Sequence, residues 1–122
     1  MSTMKQHTMK LKPAPFEKIK SGNKTIELRL YDEKRQQIAV GDVIRFINTD
    51  NTADILLVTV KGMYLFNSFE ELYRKLPLTE CGYAQEELET ASYRDMEQYY
   101  SGEEQSRYGV VGIKIALDRE GQ

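Results

Sequence analysis

A chain of 122 residues has room for one hydrophobic core, and 40% hydrophobic with 30% charged residues is the balance of a folded globular domain rather than a disordered tail. A formal net charge of −2 argues against a grip on extended duplex nucleic acid, which demands many phosphate contacts. One cysteine, Cys81, and one histidine, His7, leave no intrachain disulfide and too few ligands for a zinc cluster, and a Cys-His or Ser-His-Asp arrangement has to use His7.

The longest apolar run, Ile55 to Val60, is interrupted by Thr59 and falls far short of a bilayer span. Residues 1 to 10 carry scattered lysines without an apolar centre, so no secretory signal is read there and a cytoplasmic location is expected. No glycine-rich phosphate loop occurs, and neither a cofactor nor a metal is expected.

In chain order, Met9 and Leu11 alternate with lysines and predict a short strand ending before Pro13. Pro15, Phe16 and Ile19, followed by Gly22, predict a helix of about two turns with a glycine stop. Thr25 and Ile26 then open a strand from Lys24 to Leu30. After a polar connection and a turn at Gly41-Asp42, the segment from Val43 to Asn48 alternates as a strand. Ile55 to Leu65 is the strongest strand, with Gly62 as a bulge.

The period then changes. Ser68 with Glu71 three residues on reads as an N-cap, and Phe69, Leu72, Tyr73 and Leu76 form a helical stripe that stops before Pro77. Residues 84 to 100 suggest one helix or two short ones, and the segment from Tyr108 to Leu117 returns to strand character. These elements predict a single α+β domain around a small barrel, with helices inserted after the first strand and before the last, and with frayed ends at 1–6 and 118–122.

Lys24, Glu27 and Arg29 are the notable charges, because they fall within a strand-like stretch. Strand alternation puts Thr25, Glu27 and Arg29 on one face and Lys24 on the other, so a turn or bulge is needed to bring Lys24 round. Glu27 and Arg29 are either a structural pair or a ligand-reading pair. Lys34 and Arg35 belong to a solvated connection, and Asp42 is a turn residue. Tyr83, Tyr93, Tyr99 and Tyr100 invite base stacking, although their helical setting favours core packing for most of them.

Several blocks together carry a resemblance. They are Leu11 with Pro15-Phe16, the run Ile19-Lys20-Ser21-Gly22-Asn23-Lys24-Thr25-Ile26-Glu27-Leu28-Arg29, the run Gly41-Asp42-Val43-Ile44-Arg45-Phe46, and Gln105-Ser106-Arg107-Tyr108-Gly109-Val110-Val111-Gly112-Ile113. On these the chain resembles the ASCH domain family, whose members look like the RNA-associated PUA fold. The resemblance implies a β-barrel with a cleft between barrel and inserted helices, and Lys24, Glu27 and Arg29 in or near it.

It also implies a partner that is RNA or a small modified nucleoside. Gln105, Arg107 and Tyr108 are further ligand-binding candidates, against a reading of Gln105 and Arg107 as loop residues and of the Tyr108 ring as core with its hydroxyl toward the cleft. Some short members remove an acyl group from N4-acylated cytidine, using a lysine, a threonine and a glutamate. Lys24 matches the lysine, Glu27 stands where the threonine is, and Glu80 aligns with the later glutamate. The expectations are therefore binding of RNA or a nucleoside, or else amide hydrolysis through Lys24, Glu27 and Glu80, or else a ligand-free interaction domain. The oligomeric state is left open.

Overall fold

The computed structural model describes residues 4–118, and the frayed ends expected at 1–6 and 118–122 lie for the most part outside them. Five strands form one curled, half-barrel sheet in the order β1-β3-β4-β5-β2. β1 (Gln6–Leu11) runs parallel to β3 (Val43–Asn48), a pairing that the crossover through α1 (Pro13–Lys20) and β2 (Ile26–Leu30) makes possible. The remaining ladders are antiparallel: β3 with β4 (Asn51–Phe66), β4 with β5 (Val110–Leu117), and β5 with β2. β1 and β2 are thus the two edges. β4 serves two partners by shifting register between Val60 and Gly62, where the bulge was expected.

Inside the curl, alternate residues of the strands meet Phe16 and Ile19 of α1. Met9, Ile44, Phe46, Val58, Val60 and Ile113 all belong to this core. Phe16 and Phe46 are fully buried, and each such side chain contributes about 2–3 kcal/mol. A second core lies on one face of β2, where Ile26, Leu28 and Leu30 pack with Phe69 and Leu72 of α2 (Phe69–Lys75). β2 thus packs one face against this core although it is an edge strand.

The inserted helices depart from the sequence reading in two places. Ser68 caps α2 as expected, accepting from the Glu71 N–H at 3.2 Å. Residues 84–100, however, hold two 3-10 turns, Gln85–Glu87 and Tyr93–Gln98, rather than α-helix. Next comes α3 (Gly102–Tyr108), which was not foreseen, and the last strand begins at Val110, so Tyr108 ends a helix instead of opening a strand. The reason is local. Ser101 and Glu104 form a capping box at the start of α3, and Gly109, with φ of +74°, breaks the chain direction before β5.

Among the described residues no helix is long and apolar enough to cross a membrane.

Candidate functional site

The strand carrying Glu27 and Arg29 begins later than its sequence suggests. The N–H groups of Thr25 and Ile26 both donate to the Glu80 carbonyl, at 2.8 and 2.9 Å, and that of Lys24 donates to the Lys18 carbonyl at 3.0 Å. Residues 21–25 are therefore a turn, opened by Gly22 with φ of +87°, and strand alternation does not apply to Lys24. Its side chain comes round to the Glu27 face, and its Nζ lies 2.9 Å from Glu27 Oε1.

Arg29 completes the cluster. Its Nε donates to Glu27 Oε2 at 2.7 Å, and Nη2 donates to the Lys10 carbonyl at 3.0 Å, across the gap from β2 to β1. The Lys24 contact is an ion pair whose geometry leaves Oε1 without an aligned hydrogen bond. Burial pushes the Glu27 carboxyl up, but the charges of Lys24 and Arg29 and the Arg29 hydrogen bond outweigh it and hold the group below its ordinary value. Burial alone would lower the Arg29 pKa, yet Glu27 above all keeps it raised, so the guanidinium stays charged. One carboxylate thus sits between two cations, leaving a local positive excess.

These three residues line one cleft of about 630 Å³, bounded by β1, the start of α1, β2 and the inserted segment. Lys10, Lys12 and Lys18 join Lys24 and Arg29 there, against the acids Glu27, Glu87 and Asp95, so the cleft is cationic although the chain is acidic. Four tyrosines also line it: Tyr73, Tyr83, Tyr99 and Tyr100. Tyr100 stacks on Phe69 with ring centroids 5.7 Å apart, whereas Tyr99 is half exposed, with Lys12 Nζ 5.7 Å from its ring centroid. The Tyr73 and Tyr83 hydroxyls lie 2.7 Å apart, and Tyr83 donates to Asp95 Oδ2 at 2.7 Å.

The other sequence candidates lie elsewhere. Glu80 is not on the cleft lining; its Oε1 accepts from Lys114 Nζ at 2.6 Å and from the Thr25 hydroxyl at 3.2 Å. Gln105, Arg107 and Tyr108 border a separate hollow. Gln105 is buried there, accepting from the Phe69 N–H at 3.0 Å and donating to the Tyr100 carbonyl, and the Arg107 guanidinium lies over the Tyr108 ring. Arg35 pairs with Asp32 at 3.3 Å.

Cys81 lines the cleft, but burial pushes its thiol up to about 11, and His7 is engaged with Asp42 at 2.8 Å. That is an inert thiol rather than an activated nucleophile. Among the described residues no three His, Cys, Asp or Glu side chains are grouped to hold a metal ion.

Tyr73 and Asp95 escaped the sequence reading. Tyr73 sits in an apolar helical stripe that reads as core, and only the polar tip of an amphipathic ring hints at a second use.

The model of the ASCH domain matches residues 9–118. No curated protein matches the chain in sequence. The crystal structure of the hypothetical protein PH0355 is 36% identical, with a TM-score of 0.76 over 93% of this chain and 99% of that one. The solution structure of protein PF0455 from Pyrococcus furiosus is 35% identical, with a TM-score of 0.70 over 93% of this chain and 98% of that one. The crystal structure of ASCH from Zymomonas mobilis, 16% identical, shares the fold with a TM-score of 0.61 over 92% of this chain and 67% of that one. The chain belongs to the ASCH domain family.

Proposed function

We propose that the cleft binds a nucleoside, free or within a short single-stranded RNA. The observation that carries this reading is the convergence of Lys24, Glu27 and Arg29 on a tyrosine-lined cleft. Lys24 and Arg29 supply N–H donors suited to base carbonyls, and Glu27, buried between them, holds them in place. Tyr99 offers a half-exposed ring for stacking, a contact worth about 1–3 kcal/mol per base. A volume of about 630 Å³ falls in the range of small-molecule sites. Lys10 and Lys12, exposed at the rim, suit one or two phosphates and no more.

The test is titration with cytidine, uridine, adenosine, guanosine and short RNA at low and moderate salt. Nucleoside affinity should hardly change with salt, while RNA affinity should fall with a slope of about −0.7 per phosphate held. Absence of binding at millimolar ligand removes the reading.

Removal of an acyl group from an N-acylated base has less support. Glu80 and the Thr25 hydroxyl are tied to each other and to Lys114 rather than to the cleft, and a Glu27 carboxylate held below its ordinary value is a weak proton acceptor. Incubation with N4-acetylcytidine decides the point: release of cytidine that is lost in Lys24→Ala would favour hydrolysis.

A further inference from the structure

The Tyr73, Tyr83 and Asp95 chain has a direction. Asp95 Oδ2 accepts from the Tyr83 hydroxyl at 2.7 Å and from the Ser92 N–H at 3.3 Å. Tyr83 has one hydroxyl proton, and it is spent on Asp95. At 2.7 Å from Tyr73, the Tyr83 oxygen therefore acts as the acceptor, and the Tyr73 proton is spent on it. Only lone pairs of Tyr73 Oη remain for the cleft that both rings line.

Other features keep this polarity fixed. Burial first, then the bonds to Tyr73 and Asp95, push the Tyr83 hydroxyl far up, so its proton stays in place. The Tyr73 ring also meets the Tyr83 ring edge-on at 5.9 Å, which locks the pair sterically. Asp95 is fixed in turn by the capping box that it forms with Ser92 at the start of the 3-10 turn Tyr93–Gln98.

We infer that Tyr73 is a specificity-determining residue that offers an acceptor to the cleft and selects bases bearing an exocyclic amine, with Tyr83 and Asp95 as positioning residues that set its polarity. This rests on the nucleoside reading of the cleft. Lys24 and Arg29 present donors, so Tyr73 supplies the complementary acceptor. A base with both a carbonyl and an amine then satisfies both walls.

The experiment compares bases that differ only by the amine: cytidine against pyrimidin-2-one riboside, and adenosine against purine riboside. The unmodified protein should favour the amine in the pair it binds by about tenfold, the scale of one hydrogen bond in a partly desolvated site. Tyr73→Phe removes the acceptor and should abolish the preference. Tyr83→Phe frees the Tyr73 proton to point into the cleft and should abolish or invert it, although residue 73 is untouched. Melting curves check that both variants are folded.

Binding without discrimination by the unmodified protein, or a preference that survives Tyr83→Phe, overturns the relay and leaves the nucleoside reading standing. No binding of any of the four probes, nor of uridine, guanosine or short RNA, overturns both.

Discussion

The Arg29 guanidinium joins the two free edges of the sheet: Nη2, on β2, donates to the Lys10 carbonyl on β1 at 3.0 Å. The same side chain holds Glu27 through Nε at 2.7 Å, so one planar group closes the curl and positions a buried carboxylate. Lysine has no fork with which to reach both partners. Arg29→Lys should cost about 1–2 kcal/mol in urea unfolding and lower nucleoside affinity about tenfold, with the fold retained. Unchanged stability and affinity in this variant would show that the edge contact and the cleft do not depend on the fork.

Glu27→Gln keeps the shape and removes the charge between Lys24 and Arg29. Breaking a buried pair in this way costs roughly 3 kcal/mol. The pH dependence has a definite sign. The folded carboxyl titrates below its ordinary value of 4.5, so its stabilisation is present above that value and is lost as pH falls through the lower folded one. The stability difference between the two proteins should be flat from pH 6 to 8 and shrink below about pH 4.5. A difference that instead grows on acidification would reverse the assignment.

Much of the fold was legible because its signals are local. Alternation marked β3, the Gly62 bulge marked the register shift in β4, and Ser68 with Glu71 marked the start of α2. The site was legible in part, since Lys24, Glu27 and Arg29 do meet. How Lys24 reaches the others was not, because it depends on the Glu80 carbonyl taking two N–H groups from residues 55 and 54 positions away in sequence. Helix α3 was missed because only Gln105 is buried in it, so it has no apolar stripe, and its one sequence signal is the Ser101–Glu104 box. For Tyr83, Tyr93, Tyr99 and Tyr100 base stacking stood against core packing, which helical spacing favours for most of them. Three of the four, Tyr83, Tyr99 and Tyr100, line the cleft, and they flank the two 3-10 turns rather than lie on a helix, so helical spacing assigns them no face; Tyr100 also packs on Phe69 of the second core.

Asp42 is more than a turn residue. Its carboxylate accepts from the Lys5 N–H at 3.2 Å, the Ala39 N–H at 3.0 Å and His7 Nε2 at 2.8 Å, which fastens β1 to the start of β3. Burial pushes the carboxyl up, but these bonds and the His7 imidazole hold it lower than usual. Asp42→Ala leaves both backbone donors unpaired and should cost about 2–3 kcal/mol, with nucleoside affinity within twofold of the unmodified protein under conditions where both are folded. Because the folded value is depressed, the cost should diminish on acidification below the ordinary carboxylate range. A loss of affinity larger than the loss of folded fraction would tie the β1 fastening to the cleft.

Gly82 is where backbone geometry and the cleft meet. Its φ is +110°, a region that side chains other than hydrogen rarely adopt, and a Cβ there would stand 3.2 Å from Lys24 Cδ. Its carbonyl also accepts from Lys18 Nζ at 2.7 Å, so the loop presses against the stems of two cleft lysines. Gly82→Ala should therefore act twice: backbone strain of about 1–2 kcal/mol, read by urea unfolding, and displacement of Lys24 from Glu27, read as a several-fold loss of nucleoside affinity. Gly102→Ala is the control, because that position opens a helix with ordinary φ and nothing within 4 Å of an added Cβ. It should be neutral or stabilise by up to about 1 kcal/mol with affinity unchanged. If Gly82→Ala matched that control in both measurements, the loop would have slack, and Lys24 would owe its position to Glu27 alone.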